Sequence, residues 1–477
     1  MKQNFLYLMV AGLLLFSCSE KQVTSNGLTI INKAISDTSS IFYADFENYP
    51  DTLSVLPIGI MDSGTGGLAI LERFLTADEY DNITGKLVAD NIGDFVGENL
   101  TYLADIANIP YVGYLNKGKK DFLRELMLKN TLFMMGDSYF SLAFDDEPMK
   151  GKEKVKLLIV GSSIAATYAM NDVEELLRLS NTGVQAISVV EATASEVSRQ
   201  LTVDDAVGII SNTNVLQSKI YDNLLGINLV KQMSYGFTED MKMGENLIDK
   251  TLGAPRASYS GPVFGENVEN INVELLPRYN FSLENNDILY SRIGRKFKEI
   301  QLNSMENYAR FSLMSLVEKH RKNADGKKLK FVILDCEYSV HYKDVLETMV
   351  ASLRDYQQDG KYIYKNCISE DFQFIDPSLA VVKQAYSILR KSEILSMNLK
   401  KTKVESFISI PAYGEGTIQV GDYHWFRDDY KFGRFVGTEL QTFKMVPFAL
   451  KYLDQETVRN IEIVAPKSYK LINNKLY

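Results

Sequence analysis

Cysteine, histidine and tryptophan are scarce: the 477-residue chain has three, three and one. Three cysteines cannot build the disulfide framework of a small exported domain. Beyond Cys18, a single bridge between Cys336 and Cys367 is all the thiols allow. The histidines, His320, His341 and His424, are scattered. With so few thiols beside them no metal-ligand spacing arises, and no metal is expected. Positive charge is also short: the net charge is -9 and no Lys/Arg stripe is visible. This excludes the basic footprint that a nucleic acid needs. With 30 glycines and 11 prolines, collagen-like and proline-rich repeats are excluded as well. No heptads appear, and no apolar run reaches the ~20 residues that span a bilayer.

What is present is an ordinary globular mixture, 45% hydrophobic and 24% charged. On a prior of ~150 residues per domain the length implies two or three domains, each able to bury a core. The start of the chain reads differently. Lys2 precedes the apolar run "FLYLMVAGLLLF", which ends at "SCSE". A short apolar run behind a positive charge is a signal peptide. The ending "LFSC" resembles a bacterial lipobox. This implies that residues 1–17 are removed, that Cys18 carries lipid, and that the protein sits in the cell envelope, anchored to a membrane. Residues 18–51 read as a polar tether without periodicity.

Past the tether, apolar runs alternate with helical stretches. The runs are "VLPIGIM", "LTYLAD", "VKLLIVG", "VQAISVVE", "AVGIIS", "KFVILD" and "FQFID"; "KKDFLRELMLKNTLFMM" and "PSLAVVKQAYSILRK" are among the helices. Runs without strict polar alternation suit parallel strands covered on both faces. The pattern predicts a doubly wound α/β fold, in which ligands bind beyond the carboxyl ends of the strands. "KLLIVGSSIAA" and "KFVILDCEYSV" echo one another: each runs from lysine through a strand into a polar turn, one offering Ser162 and the other Cys336. The echo suggests two similar lobes across a cleft. "DNIGDFVGEN", "FDDEPMKGKEK" and "GAPRASYSGPVFGENVENINVE" read as inserted loops, and "SFISIPAYGEGTIQVGDYHWF" as a β section of the tail.

The corner "IGIMDSGTGG" carries Asp62 and Ser63 where the first strand ends. It lacks the Gly-Lys-Ser/Thr of a phosphate loop and the spacing of a dinucleotide fingerprint. Its glycines alone imply a tight turn, with positive φ or close helix packing. Its context resembles the aspartate/glutamate racemase superfamily. "IGIMDSGTGGLAIL" is similar to the opening of glutamate racemases. "YLADIANIPYVG", with Pro110 and Tyr111, is similar to their second landmark. "LLIVGSSIAATYA" falls where the family has Cys-Asn-Thr, and "FVILDCEYSVHYKDVL" where it has Gly-Cys-Thr-His-Tyr-Pro. "VQAISVVEATASEV", "VGIISNTNVLQSKIYDNLL" and "FQFIDPSLAVVKQAYSIL" follow in the family's order, over about residues 55–390.

The resemblance implies a first lobe over residues 52–191 and a second over 192–370. Residues 371–477 then return to the first lobe and extend it. It also implies amino-acid racemase chemistry, a proton transfer at a carbon α to a carboxylate, with no cofactor. Two thiols would flank that carbon, one as thiolate base and one as thiol acid. Here Ser162 replaces the first thiol, with Ser163 and Ile164 in place of Asn-Thr. Cys336 keeps the second, followed by Glu337 instead of Thr and Tyr338 instead of His. By carry-over Cys336, Asp62 and Ser162 are the catalytic candidates, with Asp62 a polar assistant. Ser63, Pro110, Tyr111, Ser163 and Glu337 would line the substrate site. Ser162 and Ser163 equally suit a helix cap. The implied ligand is a small amino acid or dicarboxylic acid. Two other functions fit these departures: a one-thiol decarboxylase or isomerase of the same superfamily, and a non-catalytic ligand-binding protein of the envelope. Cys367 reads as a structural thiol.

Overall fold

The apolar runs identified above contain the strands; "VQAISVVE" passes into a helix at Val189, and the strands are largely buried, with exposed exceptions such as Gln185 and Gln373. The computed structural model describes residues 29–233, 275–279, 288–294, 296–302, 305–335, 340–396, 402–412, 418–420 and 425–473. Cys18, Cys336, Glu337 and the loop "GAPRASYSGPVFGENVENINVE" lie outside these residues. The principal strands are β1 (Ile58–Asp62), β2 (Leu100–Ala104), β3 (Leu157–Val160), β4 (Gln185–Ser188), β5 (Asp205–Ser211), β6 (Val230–Met233), β7 (Lys328–Leu334), β8 (Ile368–Ile375), β9 (Val404–Pro411) and β10 (Phe443–Pro447).

They form two sheets. The first has the order β10-β9-β2-β1-β3-β4 and the second β8-β7-β5-β6. Every pairing is parallel except that of β9 with the edge strand β10. In the first sheet Asp62 is level with Ala104, and Met61 with Val160, so the carboxyl ends of β1, β2 and β3 share one rim. The two-lobed α/β architecture expected from the sequence is therefore present. The chain leaves the first sheet through the helix Val189–Ser198 after β4. It returns through the helix Pro377–Lys391 after β8, and these two helices pack on each other. An antiparallel ribbon, Ile288–Ile293 with Lys296–Leu302, precedes the helix Met305–Asn323.

The second sheet divides its side chains by alternation along each strand. Val207, Ile209, Phe331, Ile333 and Ile375 join one core cluster with Ile60, Tyr102 and Val160 of the first lobe. Ile210, Val332, Leu334 and Phe374 join a second cluster with Leu313 and Leu316 of the helix Met305–Asn323 and Met349 of the helix Lys343–Asp355. The lobes are thus fastened by shared core as well as by chain crossings.

The segment read as a polar tether is not one from Thr29 onward. Residues Thr29–Ser36 form a helix whose Ile30, Ile31 and Ala34 are buried against Leu128 and Leu176. Tyr49 then donates its hydroxyl to the carbonyl of Val155 at 2.5 Å. The apolar period lasts too few residues to stand out in a polar stretch, but it suffices to dock. Among the described residues no helix is long and apolar enough to cross a membrane.

Candidate active site

Four strands end in or run directly into aspartate: β1 ends in Asp62, and Asp105, Asp335 and Asp376 follow β2, β7 and β8. Three of these carboxylates collect at the strand ends that the sequence pointed to.

Asp62 is buried at the corner between β1 and the helix Gly67–Thr76. It turns back on that helix. Its Oδ1 accepts the Ser63 N–H at 2.8 Å and its Oδ2 accepts the Gly67 N–H. A carboxylate placed on the first free N–H groups of a helix complements the positive end of its dipole. Gly67 is glycine because of this contact: a Cβ there would lie 2.6 Å from the Asp62 Cβ. The corner's glycines thus serve close approach; none of Gly64, Gly66 and Gly67 has positive φ. Because Asp62 takes the Ser63 and Gly67 amides, they are not available as an anion cradle.

Asp105 accepts four neutral donors. They are Asn108 Nδ2 at 2.6 Å, Tyr111 Oη at 2.7 Å, Ser409 Oγ at 2.6 Å and Asn130 Nδ2 at 3.0 Å. Its own N–H reaches the Asp62 carbonyl at 3.0 Å, which fixes the two carboxylates on neighbouring strand ends. Tyr111 follows the cis Ile109–Pro110 peptide and opens a short helix. Burial first, and Asp105 next, hold the Tyr111 phenol far above its usual range, so it stays a proton donor. Its hydroxyl is committed to Asp105. Asn108 links this group outward to the buried Arg434, whose Nη2 donates to Asn108 Oδ1 and to the Tyr114 hydroxyl, each at 2.7 Å.

Ser162 and Ser163 begin the helix Ser163–Ser180 at the end of β3. Ser162 is its N-cap, its Oγ accepting the Ala165 N–H at 3.4 Å. Of the two readings open for these serines, Ser162 fulfils the capping one. Ser163 does something else: its Oγ donates to Asp335 Oδ1 of the second lobe at 2.7 Å.

Asp335 is the meeting point of the lobes. Its Oδ1 also accepts the Tyr221 hydroxyl at 2.8 Å, and its Oδ2 the Ser211 hydroxyl at 2.5 Å. Its N–H holds the Ile210 carbonyl at 3.0 Å, so β5 and β7 end together. Burial raises the Asp335 carboxyl to about 6 against the pull of the three hydroxyls. In the sequence motif quoted above, this position is glycine.

The structure therefore brings together Asp62, Ser63, Pro110, Tyr111, Ser162 and Ser163 of the first lobe at one rim. Asp335, the chain neighbour of Cys336, faces them from the second. Sequence reasoning passed over Asp105 and Asp335. The signal available was the repeated apolar strand ending in aspartate: "IGIMD", "LTYLAD", "KFVILD". Cys367 is a free, buried thiol. Burial pushes it up to about 11, and its S–H donates to the Tyr364 carbonyl at 3.2 Å. This fits the structural role expected of it. His341 is exposed, just before the helix Lys343–Asp355. Among the described residues no three His, Cys, Asp or Glu side chains are arranged to hold a metal ion.

The fold and the site together define a two-lobed parallel α/β protein with carboxylates and hydroxyls at facing strand ends. No protein-family model matches the chain, and no curated protein matches it. Among solved structures it is similar to a glutamate racemase from Francisella tularensis in complex with D-glutamate. That likeness has 17% identity and a TM-score of 0.39, over 75% of this chain and 89% of that one. A glutamate racemase isoform from Bacillus anthracis gives 16% identity and a TM-score of 0.39, over 74% and 86%. An aspartate racemase homologue from Pyrococcus horikoshii gives 11% and 0.30, over 70% and 99%.

Proposed function

We propose that this chain is a racemase-like enzyme that moves a proton at a carbon α to a carboxylate, without a cofactor, using Cys336 as its acid–base thiol. The observation that carries the reading is the Ser163–Asp335 hydrogen bond. It ties the residue after Ser162 to the residue before Cys336. The two positions that the sequence resemblance assigns to the opposite faces of the substrate carbon are thereby neighbours of one contact. Asp62, oriented by two backbone amides, flanks the first of them.

One thiol changes the expected chemistry. A cysteine thiolate is a competent base near neutral pH, whereas a serine hydroxyl needs a partner base to act. Ser162 Oγ accepts the Ala165 amide as a helix cap. The Cys336 thiolate would remove the α-proton, leaving the electron pair delocalised into the carboxylate. After the thiol exchanges with solvent, it would return a proton to the same face. The net result is exchange without inversion.

In deuterated water the wild type should wash deuterium into the right amino acid faster than it forms the other enantiomer. Cys336→Ala should abolish that exchange. Ser162→Cys should add racemisation, since a positioned acid or base is worth about 10²–10⁴-fold. If no amino acid in a broad panel exchanges in either protein, the enzymatic reading falls and ligand binding without catalysis replaces it.

A further inference from the structure

Three hydroxyls converge on the two oxygens of Asp335: Ser163 from the first lobe, and Ser211 and Tyr221 from the second. Ser211 and Tyr221 are almost completely buried, as is Asp335. Neutral O–H donors aimed from two lobes at one pair of oxygens form a receptor for a carboxylate. Such donors are costly to leave unpaired in the interior. Here the chain fills the receptor from within, with a side chain one residue before the candidate thiol. The neighbouring rim carries Asp62 and Asp105, whose bonded donors named above are backbone amides, hydroxyls and carboxamides.

We propose that Ser163, Ser211 and Tyr221 are a carboxylate cradle that Asp335 keeps occupied, and that Asp335 thereby sets the ligand class of the cleft. A second carboxylate is refused at this wall, because the donors are taken and the resident negative charge repels it. The wild-type cleft admits small amino compounds that are neutral or cationic at this end, in preference to dicarboxylic ones. The ligand-class half rests on the reading of the cleft as an amino-acid site. The cradle half does not.

The cradle is tested by emptying it. Asp335→Gly and Asp335→Ala are purified and their thermal unfolding is followed in sodium acetate against sodium chloride of equal ionic strength. Acetate should raise the midpoint of either variant saturably, by roughly 2 °C or more, and leave the wild type unchanged. Adding Ser211→Ala or Tyr221→Phe to the Asp335→Gly chain should remove most of the rise. Folding of a variant in acetate but not in chloride supports the cradle equally. The proposal is overturned if folded variants ignore acetate, or if both variants stay unfolded in acetate. A wild-type rise that Ser211→Ala abolishes also overturns it. The ligand class is read separately in the deuterium-exchange panel. Neutral and basic amino acids should exchange faster than glutamate and aspartate in the wild type, and Asp335→Gly should narrow that difference. An acetate response without exchange in any protein retains the cradle and rejects the enzyme. Exchange without an acetate response does the reverse.

Discussion

Asp335 holds its charge at a cost. In water a carboxyl of this kind titrates near ~3.9; inside the protein burial raises it to about 6. Between these values the folded chain binds a proton that the unfolded chain has released. Its contribution to stability is therefore complete below about pH 4, declines as pH rises through about 6, and is flat above. At ~1.4 kcal/mol per unit, the loss amounts to about 3 kcal/mol. Asp335→Asn keeps the shape and cannot ionise. Urea unfolding from pH 4 to 7.5 should show the wild type losing stability relative to this variant across pH 4–6.5. A difference that stays constant with pH would mean that Asp335 titrates normally. The same residue shows what single-sequence reading passes over. Its position after an apolar strand was visible, as it was for Asp62. Its partners Ser211 and Ser163 are 124 and 172 positions away, and no local pattern announces such a contact.

The elements that were legible are those whose burial is dictated by their own composition. β1, β2 and β3 are apolar apart from Asp62 and Thr101, and buried throughout. The helices Lys120–Met135 and Pro377–Lys391 coincide with the helical stretches read beforehand. Asp376, with Pro377 beside it, gives the second of these a plain start signal, its Oδ1 accepting the Ser378 amide at 2.9 Å. Two elements were harder. β10, "FKMVP", carries a lysine that is nevertheless buried, its Nζ donating to the Asp145 carbonyl at 2.6 Å. The helix Thr29–Ser36 has only eight residues in which to display a period. Its docking is a matter of packing, so it can be measured. Ile31 is 1% exposed, and Ile31→Ala should cost about 2–4 kcal/mol, as buried aliphatic truncations do. A urea midpoint equal to that of the wild type would restore the segment to the status of a tether.

At the scale of the whole molecule the first lobe encloses the second in sequence. Strand β2 has β1 on one side and β9 on the other, and the entire second sheet is written between them. A chain ending at residue 400 would lack β9 and β10 and leave one edge of "LTYLA" unpaired. Exposed apolar edges pair with other chains. Such a truncation should therefore aggregate more than the otherwise identical chain that keeps β9 and β10. A monomeric truncation with native circular dichroism would show that β9 is dispensable.

That nesting also gives the site a clock. Asp105 receives the Ser409 hydroxyl from 304 positions further along. At ~5–20 residues per second of synthesis, the carboxylate waits roughly 15–60 s for that partner to be made. The corner at Asp62 leaves the ribosome well before β9, yet the polar network beside it is completed only after Ser409 has been made. For this protein, the candidate site is complete only once β9 has been made and has joined the sheet beside β2.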